Sequence, residues 1–301
     1  MITFKSKIDI LNLTSCELVV KGYTGNVTNI TFDSRKVPLN SIFFALKGEK
    51  TDGHNFVVDA LHKGASVAIV DKVLPEYKNV TGKTIIKVDS SIKFMANLAK
   101  EYRKMINADV IGITGTIGKT TTKYLVGSIL SKRFNTLVSQ ESYNNLLGVS
   151  YTLLNYENEE KVVLELGINR LHEIEELVEI AKPDFAIITY ITPVHLEGMH
   201  SIFEIFTQKR KIVKYARKIF INADSFLLNS LAHPHIVKVG TAEDLDYRGF
   251  IVRNELNITH FTINNEFFHI PSYTKSILYP ALFAYAIGKE YGLSYSEIFD
   301  T

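Results

Sequence analysis

The sequence has little of several features that would restrict its class. Cys16 is the single cysteine, which excludes an intramolecular disulfide and a cysteine-based metal cluster. The formal net charge is only +2, which argues against a general surface for nucleic acid or anionic membranes. No apolar run approaches the ~18 residues that span a bilayer, and no apolar signal core follows the N-terminus. We therefore expect a cytoplasmic globular protein without a nucleic-acid partner or membrane insertion.

The length of 301 residues is typical of two domains, each able to bury its own core. Short apolar strands alternate with helical patterns, without an internal repeat, and this alternation is typical of α/β proteins. We predict a small N-terminal α/β domain over residues 1–106. It is followed by a P-loop-type central domain over residues 107–301, with a mostly parallel sheet flanked by helices.

A glycine-rich turn between a strand and a helix is the strongest functional signal. Residues 108–113 form an apolar, β-branched run typical of a buried strand, and residues 123–130 have apolar residues at helical spacing. The backbone N–H groups of such a turn bind phosphate, together with the helix N-terminus, a lysine and a threonine that can ligate Mg²⁺. Ile113 stands where the strict P-loop pattern has glycine, so a structural turn is the alternative interpretation. The predicted nucleotide contacts are Thr114, Gly115, Thr116, Gly118, Lys119, Thr120 and Thr121.

The stretch V-V-L-E-L-G at residues 162–167 places a glutamate, Glu165, at the end of a hydrophobic strand. Burying an unpaired carboxylate is costly, but at the carboxyl end of a strand in an α/β sheet it faces the ligand crevice. Mg²⁺ is often held by one or two carboxylates together with substrate phosphates. We therefore predict Glu165 and Thr120 as Mg²⁺ ligands, with an edge glutamate paired to a lysine as the alternative.

Ser34 and Arg35 directly follow a predicted strand near the N-terminus. A hydroxyl and a guanidinium fork in that position can bind an anion. A turn with a surface arginine is the alternative, which the residues alone favour.

Several N-terminal stretches resemble the Mur ligase family, whose ATP-dependent members lengthen the peptide of peptidoglycan precursors. They are T-F-D-S-R-K-V-P at residues 31–38, I-F-F-A-L-K-G-E at residues 42–49 and D-G-H-N-F at residues 52–56. The last is most similar to the branch that adds D-alanyl-D-alanine. In this family the N-terminal domain holds the UDP end of the substrate. The resemblance therefore implies that Ser34 and Arg35 lie near the uridine diphosphate.

The resemblance continues through the phosphate loop at residues 114–123, and it assigns roles to residues that follow the loop. It implies that Asn144 and Asn145 lie near the reaction centre, where a helix N-cap is the alternative. His195 matches a second-metal or catalytic histidine, although a lone loop histidine is more often an ordinary surface or packed residue. Lys209 matches a lysine carried as a carbamate in some members, and the alternative is the solvated face of a charged helix over residues 201–216. The predicted catalytic residues are thus Lys119, His195 and Lys209, and His195 joins Thr120 and Glu165 as a metal ligand.

The last part of the sequence departs from the family pattern in two ways, in addition to Ser150 in place of a proline and Tyr190 in place of an asparagine. Ile277 and Pro280 stand where family members usually have asparagines, the first of which contacts adenine. Typical members also continue for roughly another domain beyond the point where this sequence ends. We therefore expect the third, C-terminal ligase domain to be absent from these residues.

The resemblance implies an ATP- and Mg²⁺-dependent amide ligase. It would join D-alanyl-D-alanine, or a related amino acid or dipeptide, to a UDP-linked muramoyl peptide through an acyl phosphate. A non-catalytic or regulatory relative that binds a UDP-sugar or nucleotide is the alternative. A P-loop NTPase of unrelated purpose fits less well, because the N-terminal stretches match the family too.

Overall fold

The computed structural model of the chain describes residues 1–140, 142–167, 173–193, 201–255, 257–272 and 274–300. Two compact units are present, one of residues 1–106 with 150–155, and one of residues 107–149 with 156–301. Among the described residues, no helix is long and apolar enough to cross a membrane.

The first unit, all of whose residues are described, is an α/β structure. Its strands run parallel from β5 to β8 in a five-stranded sheet of order β3-β8-β7-β6-β5, with β3 antiparallel at one edge. A second sheet has the order β2-β1-β4. The strands are β1 Ile2–Phe4, β2 Ile8–Asp9, β3 Glu17–Val20, β4 Gly25–Val27, β5 Asn29–Thr31, β6 Ser41–Phe44, β7 Ala65–Val70 and β8 Thr84–Lys87, and the helices are α1 Val57–Lys63 and α2 Ser91–Arg103.

The core of the first unit lies where α1 packs against its sheet. β6 and β7 are buried along their whole length, which is typical of parallel strands covered on both faces. Gly64 ends α1 with a φ of +139°, a left-handed conformation that favours glycine. His54, from the D-G-H-N-F stretch, is buried and contacts the carboxylates of Asp52 at 2.6 Å and Asp71 at 2.9 Å. This histidine therefore fixes a turn of the first unit.

The second unit contains a nine-stranded sheet, counted over its described residues. Its order is β10-β11-β9-β12-β13-β14-β15-β16-β17, parallel from β10 to β15 and antiparallel from β15 to β17. The strands are β9 Asp109–Thr114, β10 Thr136–Val138, β11 Lys161–Glu165, β12 Phe185–Ile188, β13 Lys218–Asn222, β14 Ile236–Gly240, β15 Tyr247–Glu255, β16 Ile258–Ile263 and β17 Glu266–Pro271. The helices are α3 Lys119–Leu130, α4 Leu146–Leu154, α5 Glu173–Ala181, α6 Ile202–Lys209, α7 Phe226–Asn229, α8 Leu278–Glu290 and α9 Tyr295–Phe299, and residues 150–154 of α4 are grouped with the first unit.

The predicted α/β class with a mostly parallel sheet is confirmed. The strands β16 and β17 form an antiparallel hairpin, joined by Asn264 and Asn265. Both asparagines have positive φ, +46° and +69°, as a tight hairpin turn requires.

Two predicted helix boundaries are wrong. α3 begins at Lys119 rather than at residue 123, so the lysine and the threonines form its first turn. The helix predicted over residues 201–216 ends as an α-helix at Lys209 and continues as the 3₁₀ helix Arg210–Lys214. Such tightening is common where an α-helix ends, and it leaves little trace in the apolar spacing.

The parallel register brings several polar residues to one edge of the second sheet. Glu165 of β11 lies opposite Ile113 of β9, and Thr114 lies opposite Ile188 of β12. Ile188 in turn lies opposite Ile221, one residue before Asn222 at the end of β13. Because the carboxyl ends of parallel strands meet at one edge, the phosphate loop, Glu165 and Asn222 border the same crevice.

Candidate functional site

The glycine-rich turn between β9 and α3 is a strand–loop–helix unit with two glycines in left-handed conformations. Gly115 has a φ of +149° and Gly118, the N-cap of α3, has a φ of +81°. The backbone N–H of Thr116 donates to the carbonyl of Tyr190 at 2.8 Å, which ties the loop to the segment after β12. The loop therefore has the conformation that glycine permits and that phosphate loops use.

Thr189, which follows β12, contacts the glycine-rich loop through its side chain. Its Oγ1 donates to the carbonyl of Ile117 at 2.6 Å. A Cβ on Gly115 would lie 1.9 Å from Thr189 Oγ1, so a side chain is excluded at position 115. The close approach of Thr189 explains why residue 115 is a glycine. Nothing in the local sequence around Thr189 indicated that its side chain contacts the loop.

Lys119 begins α3 and is half-buried beside the loop. Its Nζ donates to the carbonyl of Thr116 at 3.2 Å, so the ammonium folds back over the turn. Burial lowers the pKa of Lys119, and the negative charge of Glu165 opposes that shift. The side chain is thus positioned beside the turn where phosphates would bind.

The hydroxyls of the predicted threonines are used in different ways. Thr114 Oγ1 donates to the carbonyl of Leu166 at 2.8 Å, and Thr116 Oγ1 donates to that of Tyr190 at 3.0 Å. These two hydroxyls therefore hold the backbone around the loop. Thr121 is exposed and lines a cavity beside the loop, which is described below. Thr120 Oγ1 donates to Glu165, the other residue predicted to bind Mg²⁺.

Glu165 is buried, with 1% of its surface exposed, and polar groups surround it. Its Oε2 accepts from Thr120 Oγ1 at 2.9 Å and lies 3.5 Å from Lys123 Nζ. Its Oε1 accepts from Asn144 Nδ2 at 3.0 Å. The structure thus contains the lysine pairing of the alternative interpretation as well as the predicted neighbour Thr120. Lys123 belongs to the stretch that resembles the family loop, but sequence reasoning gave it no role at Glu165.

Hard oxygen donors of the kind that Mg²⁺ prefers converge at Thr120 and Glu165. Within the described residues no group of three or more His, Cys, Asp and Glu side chains could hold a metal. Mg²⁺ does not need such a cluster, since it commonly binds one or two carboxylates together with phosphates. The donor set therefore fits Mg²⁺. The predicted third ligand, His195, lies outside the described residues.

The two adjacent asparagines have different roles. Asn145 Oδ1 accepts from the N–H of Gly148 at 3.0 Å, which is the N-cap contact named as the alternative. Asn144 contacts Glu165, and its main-chain carbonyl accepts from Gly167 N–H at 2.7 Å. Asn144 is therefore part of the site around Glu165, whereas Asn145 stabilises the start of α4.

Lys209, the last residue of α6, is 3% exposed, which contradicts the solvated-face interpretation for this lysine. Burial, and to a smaller extent the positive charge of Lys119, lower its pKa to about 7. Among the described residues no carboxylate forms an ion pair with Lys209. A pKa of about 7 leaves part of the buried amine neutral near pH 7, and the neutral amine is the form that reacts with CO₂.

In the first unit, Ser34 and Arg35 lie in the turn after β5. The Arg35 side chain is 86% exposed, and its guanidinium donates to both carboxylate oxygens of Asp33 at 2.8 Å. This pair holds the pKa of Asp33 at about 2. The carbonyl of Ser34 accepts from Lys63 Nζ at 3.0 Å. The arginine is accessible, and its role towards uridine diphosphate stays a prediction.

A cavity of about 640 Å³ adjoins the phosphate loop in the second unit. Its lining includes Ile117, Gly118 and Thr121 from the loop and α3. It also includes Ile277 and Pro280, the two residues that replace the family's asparagines. A volume of this size is within the usual range for a small-molecule site.

Comparisons with known proteins match both units. Residues 113–288 match the family described as Mur ligase middle domain, and residues 26–103 match the one described as Mur ligase family, catalytic domain. The UDP-N-acetylmuramoyl-tripeptide--D-alanyl-D-alanine ligase of Bacillus subtilis (strain 168) is 32% identical over 291 residues, which is 92% of this chain and 63% of that relative. The ligase of the same name from Rickettsia prowazekii is 36% identical over 211 residues, covering 68% of this chain and 46% of the relative.

Among solved structures, a crystal structure of MurF from Acinetobacter baumannii superimposes with a TM-score of 0.78 and 26% identity. The superposition covers 91% of this chain and 62% of that one. These matches confirm the resemblance inferred from the sequence and give no support to the non-catalytic alternative. The chain spans about 63% of the length of the Bacillus subtilis relative.

Proposed function

Because the chain belongs to the Mur ligase family, we propose that it supplies the precursor-binding and nucleotide-binding parts of an ATP-dependent amide ligase of peptidoglycan precursor synthesis. The proposed substrates are a UDP-muramoyl tripeptide and D-alanyl-D-alanine, as named for the relatives. The observation that carries the proposal is the contact of Thr120 with Glu165 beside the glycine-rich loop. A cytoplasmic location and a requirement for Mg²⁺ are part of the proposal.

In the proposed reaction, the loop N–H groups and Lys119 hold the phosphates of ATP and offset their charge. Thr120 and Glu165 would hold Mg²⁺, which would add positive charge at the transferring phosphoryl group. The terminal carboxylate of the muramoyl peptide attacks the γ-phosphorus, and ADP leaves. The amine of the dipeptide then attacks the acyl phosphate, releasing phosphate and one proton and forming the amide.

Lys209 is proposed to react with CO₂ to form a carbamate. A neutral amine attacks CO₂, and the product loses one proton to become a carboxylate on a long side chain. The lowered pKa of Lys209, about 7, supports this step because it leaves a substantial neutral fraction at physiological pH. The new negative charge would also relieve the repulsion between Lys209 and Lys119.

Turnover tests the proposed function. The complete product of the gene that encodes these residues is incubated with ATP, Mg²⁺ and UDP-muramoyl tripeptide, with and without D-alanyl-D-alanine, and ADP release is measured. We expect dipeptide-dependent release, and the conservative Thr120→Ser variant should retain more activity than Thr120→Ala. Precursor binding without dipeptide-dependent ADP release would contradict the ligase assignment.

A further inference from the structure

The cavity beside the phosphate loop is bordered by a buried amide nitrogen that has no hydrogen-bond partner among the described residues. This atom is Nδ2 of Asn222, at the end of β13. Asn222 is 0% exposed, and it lines the cavity together with the loop residues Ile117 and Gly118. Buried side-chain amides in folded proteins nearly always have partners, so the unpaired donor requires an explanation.

The orientation of this amide follows from its backbone environment. The N–H of Asp224 donates to Oδ1 of Asn222 at 3.0 Å. Only the oxygen of a carboxamide can accept a hydrogen bond, so the Asp224 N–H determines which end of the amide it contacts. The Nδ2 end is therefore left as a donor, and a ligand that offers an acceptor would satisfy it.

The position of Asn222 along the sheet indicates which part of a nucleotide it would meet. β13 is separated from β9, the strand of the phosphate loop, by β12 alone. Neighbouring strands lie ~4.8 Å apart, so the two strand ends are about 10 Å apart across the sheet. If the phosphates bind the loop after β9, Asn222 is too far away to contact them. It would instead lie near a part of the nucleotide that is remote from the phosphates.

The apolar part of the cavity lining favours a flat ring, whereas hydroxyl side chains such as Ser276 and Tyr279 also line the cavity. Ile277, Pro280 and Phe283 line it, and none of these side chains offers a hydrogen bond. They can enclose an aromatic base by contact, but they cannot fix its orientation. Among the described lining residues, Asn222 carries the buried donor that has no hydrogen-bond partner, so it can help to supply that orientation.

We propose that Asn222 donates from Nδ2 to a ring nitrogen of the purine base of a nucleoside triphosphate. This inference rests on the proposed function, because it takes the loop as the site of the phosphates. Asn222 then acts as a specificity-determining residue on the sheet side of the cavity, while Ile277 and Pro280 enclose the base. The broad χ2 torsion of asparagine allows the small rotation that aims the donor at its acceptor.

Atom-deleted nucleotides test the proposal on the unaltered chain. The affinities of ATP and its 1-deaza, 3-deaza and 7-deaza analogues are measured by calorimetry in Mg²⁺, with inorganic tripolyphosphate as a probe of the loop alone. One analogue should bind about 10-fold more weakly than ATP, because it leaves the buried donor unpaired. If all three analogues bind as tightly as ATP, the proposal is overturned.

Variants assign the effect to Asn222. Asn222→Asp keeps an acceptor for the Asp224 N–H but removes the donor, and we expect about 10-fold weaker ATP binding with unchanged tripolyphosphate binding. The matched control is Asn229→Asp, the same change at an exposed residue of α7. Unchanged ATP affinity in Asn222→Asp would overturn the role of Asn222 and leave the phosphate site intact. If the unaltered chain binds neither ATP nor tripolyphosphate, the proposed function itself fails.

Discussion

At Gly115 the lack of a side chain allows the phosphate loop to lie against Thr189. A Cβ there would lie 1.9 Å from Thr189 Oγ1, whereas a Cβ on Gly118 would meet its nearest atom only at 4.0 Å. Both glycines have positive φ, so a substitution at either position strains the backbone. The two positions therefore separate the effect of strain from the effect of a steric clash.

We expect Gly115→Ala to weaken ATP binding by at least about 10-fold, because Thr189 or the loop must move to accommodate the new methyl group. Calorimetry with ATP and Mg²⁺ measures this. Gly118→Ala is the control and should cost about 1–2 kcal/mol of stability from backbone strain alone. Combining Gly115→Ala with Thr189→Ala should recover part of the lost affinity, and no recovery would argue against the clash.

The buried amine of Lys209 makes stability depend on pH. Its pKa falls from an ordinary 10.5 to about 7 on folding, because burial and Lys119 disfavour the charged form. Between these two values the unfolded chain binds a proton that the folded chain does not. The free energy of unfolding therefore rises as the pH increases from 7 to 10.5, and the full penalty of burying Lys209 applies below pH 7.

We expect Lys209→Met to stabilise the second unit by a few kcal/mol at pH 7, and this gain should shrink towards pH 10. Thermal unfolding at a series of pH values measures the difference from the unaltered chain. Lys211→Met is the matched control, because Lys211 Nζ lies 2.5 Å from Glu175 Oε1 in an ion pair. A gain in stability that does not change with pH would contradict the lowered pKa of Lys209.

At the scale of elements, α3 is the helix that positions Lys119 and Thr120. Gly127 allows it to lie close to β10, since a Cβ at Gly127 would be 2.5 Å from Val138 Cγ2. The same helix packs against α8 and the sheet in the main core of the second unit. The positions of Lys119 and Thr120 thus depend on close packing about two helical turns further along α3.

Gly127→Ala should therefore lower stability by about 1–3 kcal/mol, although alanine is the better helix former. Thermal unfolding of the second unit measures the change. Adding Val138→Ala should restore part of the loss, because it removes the clashing methyl groups. Ser128→Ala, at the exposed neighbouring position, is the control and should raise stability by about 0.5 kcal/mol. Stabilisation by Gly127→Ala would show that the helix shifts without cost.

Local patterns predicted most elements around the site but not their limits. The strand before the loop was predicted because a run of apolar, β-branched residues is a local signal. The start of α3 was missed because threonine and glycine are poor helix formers, and the spacing of apolar residues begins later. The end of α6 was missed because a 3₁₀ turn keeps a similar sequence pattern.

At the scale of the whole molecule, the two units are expected to bind different ligands. UDP should protect amides in the first unit, around the turn that contains Ser34 and Arg35. ATP with Mg²⁺ should protect amides of the phosphate loop and β11 in the second unit. Hydrogen exchange with mass spectrometry resolves the two sets of peptides.

Two variants serve as controls for this experiment. Lys119→Ala should abolish the protection by ATP and leave that by UDP, whereas Arg35→Ala should do the reverse. Protection of the same peptides by both ligands would contradict the assignment of one ligand to each unit.

The sequence by itself determined the α/β class, the strand–loop–helix unit, the family and the placing of Glu165 at a strand end, because these depend on neighbours a few residues apart. The tertiary structure alone decided that Thr189 lies under Gly115 and that Lys123 approaches Glu165. It also decided that Lys209 is buried and that Nδ2 of Asn222 lacks a hydrogen-bond partner among the described residues. Such features arise from chain segments far apart in sequence: Thr120 and Glu165, 45 residues apart, meet only because parallel β9 and β11 end at the same edge of the sheet.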